Sequence, residues 1–487
     1  MLKSSDPHKF KIGILSLAII NVIVIFDLTG LASQAEYGLS SIFYYLFAAL
    51  FFLIPICFVA AELGTTYPNA GGVFRWVGQA FGPRWGFVAI FLQWVNAPIF
   101  FPTTLAFAWI ALVFINPNLA ADSKIAANSN YAPIVILMIL WLAIFAALRG
   151  FKSTTWTTIT FGLIGTIIPA GILSFLGFLY FFQGNPIQIS VGWSEFIPKM
   201  SGFSGLVLAA AIFLDYAGME MSFVHIENTK NPQKTYSLAI LFSTFFIVCI
   251  FVLTTLPISF VIPAAQINLT ESLLMAFDSL LRFYGLPWAS PVIAALLVVG
   301  IAGQLIVWLA GPSVAMLSIG RAGFLPPIFH KVNSHNAPRN ILLLMGLIVT
   351  ILMITFKILP SVQAVFQMLT QLASLLYLIM YIMMFSACIY LRYALPNIER
   401  PFQIPGGKVG LWICNGVGIF SSLFGFYVSL IPPSQIPVGN PATYVAILIV
   451  GSIIFIATPI VLYSLRKPSW VMENNENPLK AFIKIKP

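Results

Sequence analysis

Charge is what this chain has least of. Only 8% of its 487 residues are Asp, Glu, Lys or Arg, against roughly 25% in ordinary soluble domains, so a soluble globular protein is excluded. Cysteine is scarce too: Cys57, Cys249, Cys388 and Cys414 stand singly in apolar runs without CxxC spacing. They read as small buried hydrophobes, and neither a disulfide nor a metal site is indicated. Four histidines, His8, His225, His330 and His335, lack metal spacing and fall in polar joints, where solvated surface positions are expected. No catalytic dyad or cofactor motif is present, which argues against an enzyme. Singular acids in a single chain, instead of symmetric rings, argue against a channel.

What is abundant is apolar sequence, 60% of the chain, with 15% aromatic. Stretches of about 18 residues or more can be counted to twelve. They lie near 12–35, 40–62, 84–114, 132–149, 154–182, 202–225, 236–260, 291–319, 340–358, 362–391, 409–431 and 442–465, here called segments 1 to 12. The net charge of +10 is explained by topology, not by a nucleic-acid partner. With the N-terminus cytoplasmic, every Lys and Arg falls on the inner side except Lys124, Lys199, Arg282 and Lys357. The positive-inside rule thus predicts a multi-pass cell (inner) membrane protein with both termini cytoplasmic. The basic start followed by an apolar run has no cleavage site, so it reads as segment 1 and not as a signal peptide.

Two segments are interrupted alike. Segment 1 contains Phe26-Asp27-Leu28-Thr29-Gly30 and segment 6 contains Asp215-Tyr216-Ala217-Gly218 followed by Glu220. Both carry Asp-x-x-Gly. A carboxylate at the centre of a membrane helix costs about 2.5–3.5 kcal/mol on insertion scales, and is normally kept facing a cavity or a partner. Inverted-repeat transporters place their substrate site where the first helix of each repeat is broken. The bland alternative is two acids satisfied by hydroxyls, with glycines serving close helix packing. Leu31 to Ala35, beyond the first break, begins with free N–H groups and suits a substrate carboxylate. Asp27, Asp215 and Glu220 are the buried acids without a cation at comparable depth, and so the proton-coupling candidates; pairing with a substrate ammonium is the alternative. Glu62, at the inner end of segment 2, reads as a snorkelling or gate-lining acid.

The joints hold fewer signals. The inner loop after segment 2 has turns at Pro68-Asn69, Gly71-Gly72 and Gly82-Pro83 around an amphipathic stretch, Val73 to Phe81. A surface helix is predicted within Pro263 to Trp288, on the outer side, and Asn268-Leu269-Thr270 reads as a chance sequon.

Four stretches together resemble the amino acid-polyamine-organocation transporters, and within them the bacterial glutamate/GABA antiporter branch. They are AGGVFRWVGQAFGPRWGF, SGFSGLVLAAAIFLDYAGMEMSFVHIENTKNPQKTY, VWLAGPSVAM and RPFQIPGGKVG. The resemblance spans about residues 10 to 465. It implies an all-α membrane protein of 12 transmembrane helices in a leucine-transporter-like fold. Residues 12–182 (TM1–TM5) and 202–391 (TM6–TM10) would form a 5+5 inverted repeat with helices 1 and 6 discontinuous. Residues 409–465 (TM11–TM12) would add two helices between a cytoplasmic N-terminus, 1–11, and a cytoplasmic tail, 466–487. The two derived breaks fall in segments 1 and 6, where such a repeat requires them.

The resemblance also implies roles residue by residue. Glu220 matches a glutamate lining the pathway in the sixth helix. Trp308 matches a tryptophan of the eighth helix, able to close on an amine by a cation–π contact; Tyr377 and Tyr381, in LLYLIMY, match two pathway tyrosines of the tenth. The expected substrate-binding set is therefore Asp27, Leu28, Thr29, Gly30, Asp215, Tyr216, Ala217, Gly218, Glu220, Trp308, Tyr377 and Tyr381, with no metal and no cofactor. Two features depart from the acid-resistance antiporter of that branch. Gln304 replaces a glutamate one turn before Trp308, and no histidine follows His335 in a tail of about 20 residues. Both point away from acid-gated glutamate/GABA exchange.

The sequence thus predicts a secondary active transporter, permease or antiporter, moving amino acids or related amines by alternating access. Its partners would be that small solute, with protons as candidate co-substrates, and the lipid bilayer; a monomer and a homodimer both fit. Exchange, proton coupling and sodium coupling stay open. The alternatives are the acid-resistance glutamate/GABA antiporter itself and a non-cycling amino-acid sensor on the same fold.

Overall fold

A chain in lipid has no water to satisfy backbone polar groups, so its apolar runs become helices that bond internally. The computed structural model describes residues 13–67, 71–116, 125, 131–149, 160–199, 202–221 and 232–472. Among these, ten helices are long and apolar enough to cross a membrane. They are Ser40–Thr66, Pro83–Val113, Thr160–Phe182, Phe203–Met221, Leu238–Val261, Ala289–Arg321, Arg339–Ile358, Val362–Ala394, Gly407–Ser429 and Pro441–Ser464. Ten of the twelve apolar segments therefore reach spanning length. The other two are shorter: segment 4 is helical over Ala132–Leu148, and segment 1 divides into Ile14–Ile25 and Leu31–Ala35.

Burial sorts the helices. The most apolar window is 83% buried in Pro83–Val113, 72% in Val362–Ala394 and 67% in Phe203–Met221, but only 17% in Pro441–Ser464. Segments 3, 6 and 10 thus form the centre, and segment 12 presents most of its surface outward. Close approach depends on glycine, as two contacts illustrate. A Cβ on Gly165 would lie 2.0 Å from Gly300 Cα, so segments 5 and 8 cross backbone to backbone. A Cβ on Gly86 would lie 2.6 Å from the Phe74 carbonyl oxygen, so the helix Gly72–Phe81 packs tightly on segment 3. That helix was expected from its amphipathic pattern, but it is buried from Val73 to Ala80.

Three further expectations change in the structure. Glu62 neither snorkels nor lines an open gate: it is 2% exposed and paired, as described below. His330 is not a solvated surface group; it is buried, with Nε2 3.0 Å from the Leu325 carbonyl oxygen. His335 is exposed, whereas His8 and His225 lie outside the described residues. The helix predicted within Pro263 to Trp288 forms over Ser272–Phe283, with Arg282 Nε bonded to Asp278 at 2.6 Å, but it is not a surface helix: Leu273, Leu274, Phe277 and Leu280 are among its buried residues.

Candidate functional site

Asp27 ends the first helix chemically. Its Oδ1 accepts the Thr29 N–H at 3.0 Å and its Oδ2 the Thr29 hydroxyl at 2.9 Å, a local turn that competes with helical bonding. Phe26 is already extended, at φ −71° and ψ 113°. Helix resumes at Leu31, and the N–H groups of Gly30 and Ala32 have no acceptor among the described residues. The Gln304 side chain of segment 8 faces the Asp27 carboxyl.

Segment 6 ends comparably. Regular helix stops at Asp215, and Gly218 takes φ +111°, a conformation glycine adopts without steric cost. The Asp215 carboxylate lies against the bare Cα of Gly30: a Cβ there would meet Asp215 Oδ1 at 2.7 Å. Asp215 and Asp27 are close enough to act on each other electrostatically. The Asp215 side chain makes no hydrogen bond or ion pair among the described residues, and its Oδ2 is buried. An uncompensated buried carboxylate is costly, so this position calls for a proton or a cation.

Glu220 is the opposite case. Its Oε1 accepts from Gln93 Nε2 at 2.8 Å and from the Tyr377 hydroxyl at 2.8 Å, while Oε2 accepts from the Tyr381 hydroxyl at 2.6 Å. Tyr381 in turn accepts the Gly218 N–H, freed by the break, at 2.9 Å. Segments 3, 6 and 10 are joined through one carboxyl. A π-helical turn at Ala49–Leu53 of segment 2 sets Phe52 edge-on to Tyr381, with centroids 5.3 Å apart, and to Phe213 at 4.9 Å.

The expected residues thus gather into two neighbouring groups, Asp27, Thr29, Gly30 and Asp215 in one, Gly218, Glu220, Tyr377 and Tyr381 in the other. Leu28 is buried beside the first group and Ala217 half-buried at the second break. Tyr216 turns into the core, where its hydroxyl donates to the Tyr45 carbonyl and its ring packs on Phe251. Trp308 is half-buried against the core and is not drawn into either group. Gln93 was not foreseen. Its spacing of three from Asn96 in an otherwise apolar run, with Asn96 bonded to the Ala373 carbonyl, was the available signal.

Residues 12–453 match the amino acid permease family. The chain belongs to that family. This permease is a multi-pass membrane protein and a secondary transporter of amino acids or amines. It is 37% identical over 455 residues to an uncharacterized transporter of Legionella pneumophila, covering 93% of this chain and 97% of the relative. It is 30% identical to a glutamate/gamma-aminobutyrate antiporter of Lactococcus lactis, over 87% of this chain and 84% of the relative. At 25% identity it resembles a probable agmatine/putrescine antiporter of the same species, over 82% and 84%. Within its superfamily it is similar to the glutamate/GABA branch, as the four sequence stretches implied.

Proposed function

We propose that this permease carries an amino acid or a related amine by alternating access around the two breaks, with Asp215 as the ammonium partner. In this reading there are twelve spans, with 12–182 and 202–391 as inverted five-helix repeats and segments 1 and 6 discontinuous. The Lys- and Arg-rich face, with both termini, is cytoplasmic; the face carrying Glu36 and Lys199 is the outer one. A substrate carboxylate is received by the unspent Gly30 and Ala32 amides, and its ammonium lies beside Asp215. The observation that carries this is the bare Asp215 carboxylate set between the breaks. Glu220, with three donors already on it, is a poorer partner for a mobile charge, and acts by holding segments 3, 6 and 10 in register.

Coupling follows from the same group. When no ammonium is beside it, Asp215 lowers its cost by taking a proton, so substrate and proton compete for one carboxyl. That yields exchange, or proton antiport, without a second site. The experiment is uptake and counterflow in proteoliposomes with a panel of amino acids, their decarboxylated amines and polyamines. It is run beside thermal unfolding, where a ligand at about 100 times its Kd adds about 2.7 kcal/mol. Asp215→Asn is expected to abolish uptake of the solute that stabilises the wild type. Undiminished uptake by that variant refutes the assignment.

A further inference from the structure

A cavity of about 350 Å³ opens where segments 1 and 2 join, lined by Glu36, Leu39, Tyr44, Glu195, Lys199 and Gln435 among others. Its floor is built from a tyrosine. The Tyr37 hydroxyl donates to the Gly205 carbonyl at 2.7 Å and accepts from the Ala209 N–H at 3.0 Å and Gln435 Nε2 at 3.1 Å. The loop between segments 11 and 12 is thereby fastened to the starts of segments 2 and 6. Leu31–Ala35 connects this floor to the first break; five residues of helix are about 7.5 Å long.

The charges in this cavity do not balance. Glu195 and Lys199 form a rim pair at 2.7 Å, with side chains 35% and 74% exposed, which adds no net charge. Glu36 has no ion pair among the described residues; the Gln435 amide faces it, and Tyr37 and Tyr44 are close enough to act on it electrostatically. One half-buried carboxylate therefore faces an aromatic-sided cavity, Tyr44 standing edge-on to Tyr37 at 4.8 Å.

We infer that this outer cleft is a second binding site, taking the ammonium group of an organic cation or amino acid through Glu36 and the Tyr44 ring. It rests on the orientation and solute class proposed above, and it is distinct from the central position at Asp215. A carboxylate gives the charge and an aromatic face adds a cation–π contact. Such a site concentrates ammonium-bearing solutes one short helix from the breaks. Burial pushes the Glu36 carboxyl above its ordinary range, against the Gln435 contact. Its negative charge, and with it the site, is lost as pH falls through that raised range. Of the other titratable groups here, burial pushes the Tyr37 hydroxyl above the ordinary tyrosine range, Tyr44 stands against it, and Glu195 lies 2.7 Å from Lys199.

The test is electrostatic and needs no transported substrate. Full-length protein carrying Leu39→Cys in liposomes is modified with matched cationic and anionic methanethiosulfonates, with the unsubstituted protein as background for its four cysteines. The ratio of cationic to anionic rate is expected to fall about tenfold on adding Glu36→Gln, the order expected for one nearby charge at intermediate dielectric. Glu36→Asp should keep it. Putrescine and 4-aminobutyrate should slow the cationic reagent while Glu36 is present, and should no longer do so in the Glu36→Gln variant. A ratio unmoved by Glu36→Gln, or lowered equally by Glu36→Asp, overturns the site; so does absence of protection by both solutes. Asp215→Asn in the reporter background should leave the ratio unchanged. If uptake survives Asp215→Asn while the Glu36 ratio behaves as stated, the central assignment fails and the outer site stands.

Discussion

Glu62 and Asp215 are both carboxylates set in apolar helices, and the molecule treats them in opposite ways. Glu62, 2% exposed, accepts Arg392 Nε at 2.7 Å and Arg392 Nη2, receives the Ile404 N–H at 2.9 Å, and has Arg400 Nε at 3.6 Å. Arg400 is itself held by the Leu391 and Leu395 carbonyls at 2.9 and 2.8 Å. The motif RPFQIPGG is thus a strap: its arginine and its Ile404 amide tie the end of segment 10 and the following loop to segment 2. Asp215 has none of this. An acid that is fully matched has no reason to change state during a cycle; an acid left bare is available to whatever cation arrives.

The comparison predicts separable phenotypes. The largest effect should be that of Asp215→Asn on function, with uptake lost. Stability in detergent should be unchanged or slightly raised, because the amide needs neither a proton nor a cation in that buried position. Glu62→Gln should do the reverse in kind. It leaves two arginines without their anion, and breaking a buried pair costs about 3–5 kcal/mol, read as a lower midpoint in thermal unfolding. Whatever folded protein remains should bind ligand with unchanged Kd. A Glu62→Gln protein of normal stability, or an Asp215→Asn protein that unfolds early, would dissolve the distinction.

Glu220 sharpens it, lying between the two extremes. Tyr381→Phe removes one donor to Glu220 and the acceptor of the Gly218 N–H, so about 1.5–3 kcal/mol of stability should go, the range for bonds to charged groups. Tyr377→Phe removes a single donor and should cost less. If Glu220 holds the segments in register, both variants lower the maximal rate and the unfolding midpoint together. A Tyr377→Phe variant with a changed substrate profile and full stability would move Glu220 into the binding role.

How far the site was readable depended on the kind of signal. Asp27, Asp215 and Glu220 stand out because a carboxylate in an apolar run is expensive wherever it points, so composition alone flags it. Which partner each acid has is a tertiary fact. Nothing local distinguishes Glu62, satisfied by Arg392 at a distance of 330 positions along the chain and by Arg400 beyond it, from Asp215, whose side chain has no such partner among the described residues. Gln93, marked only by its spacing from Asn96, and Gln34, whose amide donates to the Leu208 carbonyl at 2.9 Å, had no legible partner for a similar reason: an amide in an apolar helix has many possible acceptors. Helices were legible by length and hydropathy. The burial of Gly72–Phe81 was not, since an amphipathic period marks an apolar face without saying whether lipid or protein covers it.

The smallest expected effect tests the contact between the two breaks most directly. Gly30 has φ −80° and ψ −16°, ordinary helical values, so its lack of a side chain is not demanded by the backbone. Replacing such a glycine by alanine ordinarily stabilises by about 0.4–1 kcal/mol through the unfolded chain. Here the new methyl would stand 2.7 Å from Asp215 Oδ1, and the carboxylate has to move aside. Gly30→Ala should therefore leave the unfolding midpoint within a few degrees of wild type while KM for the transported solute rises several-fold. An equal KM would mean that Asp215 can serve its ligand from a displaced position, and that closeness of the two breaks matters for packing alone. A raised KM with unchanged stability would show that the glycine in Asp-x-x-Gly is kept for the acid across from it.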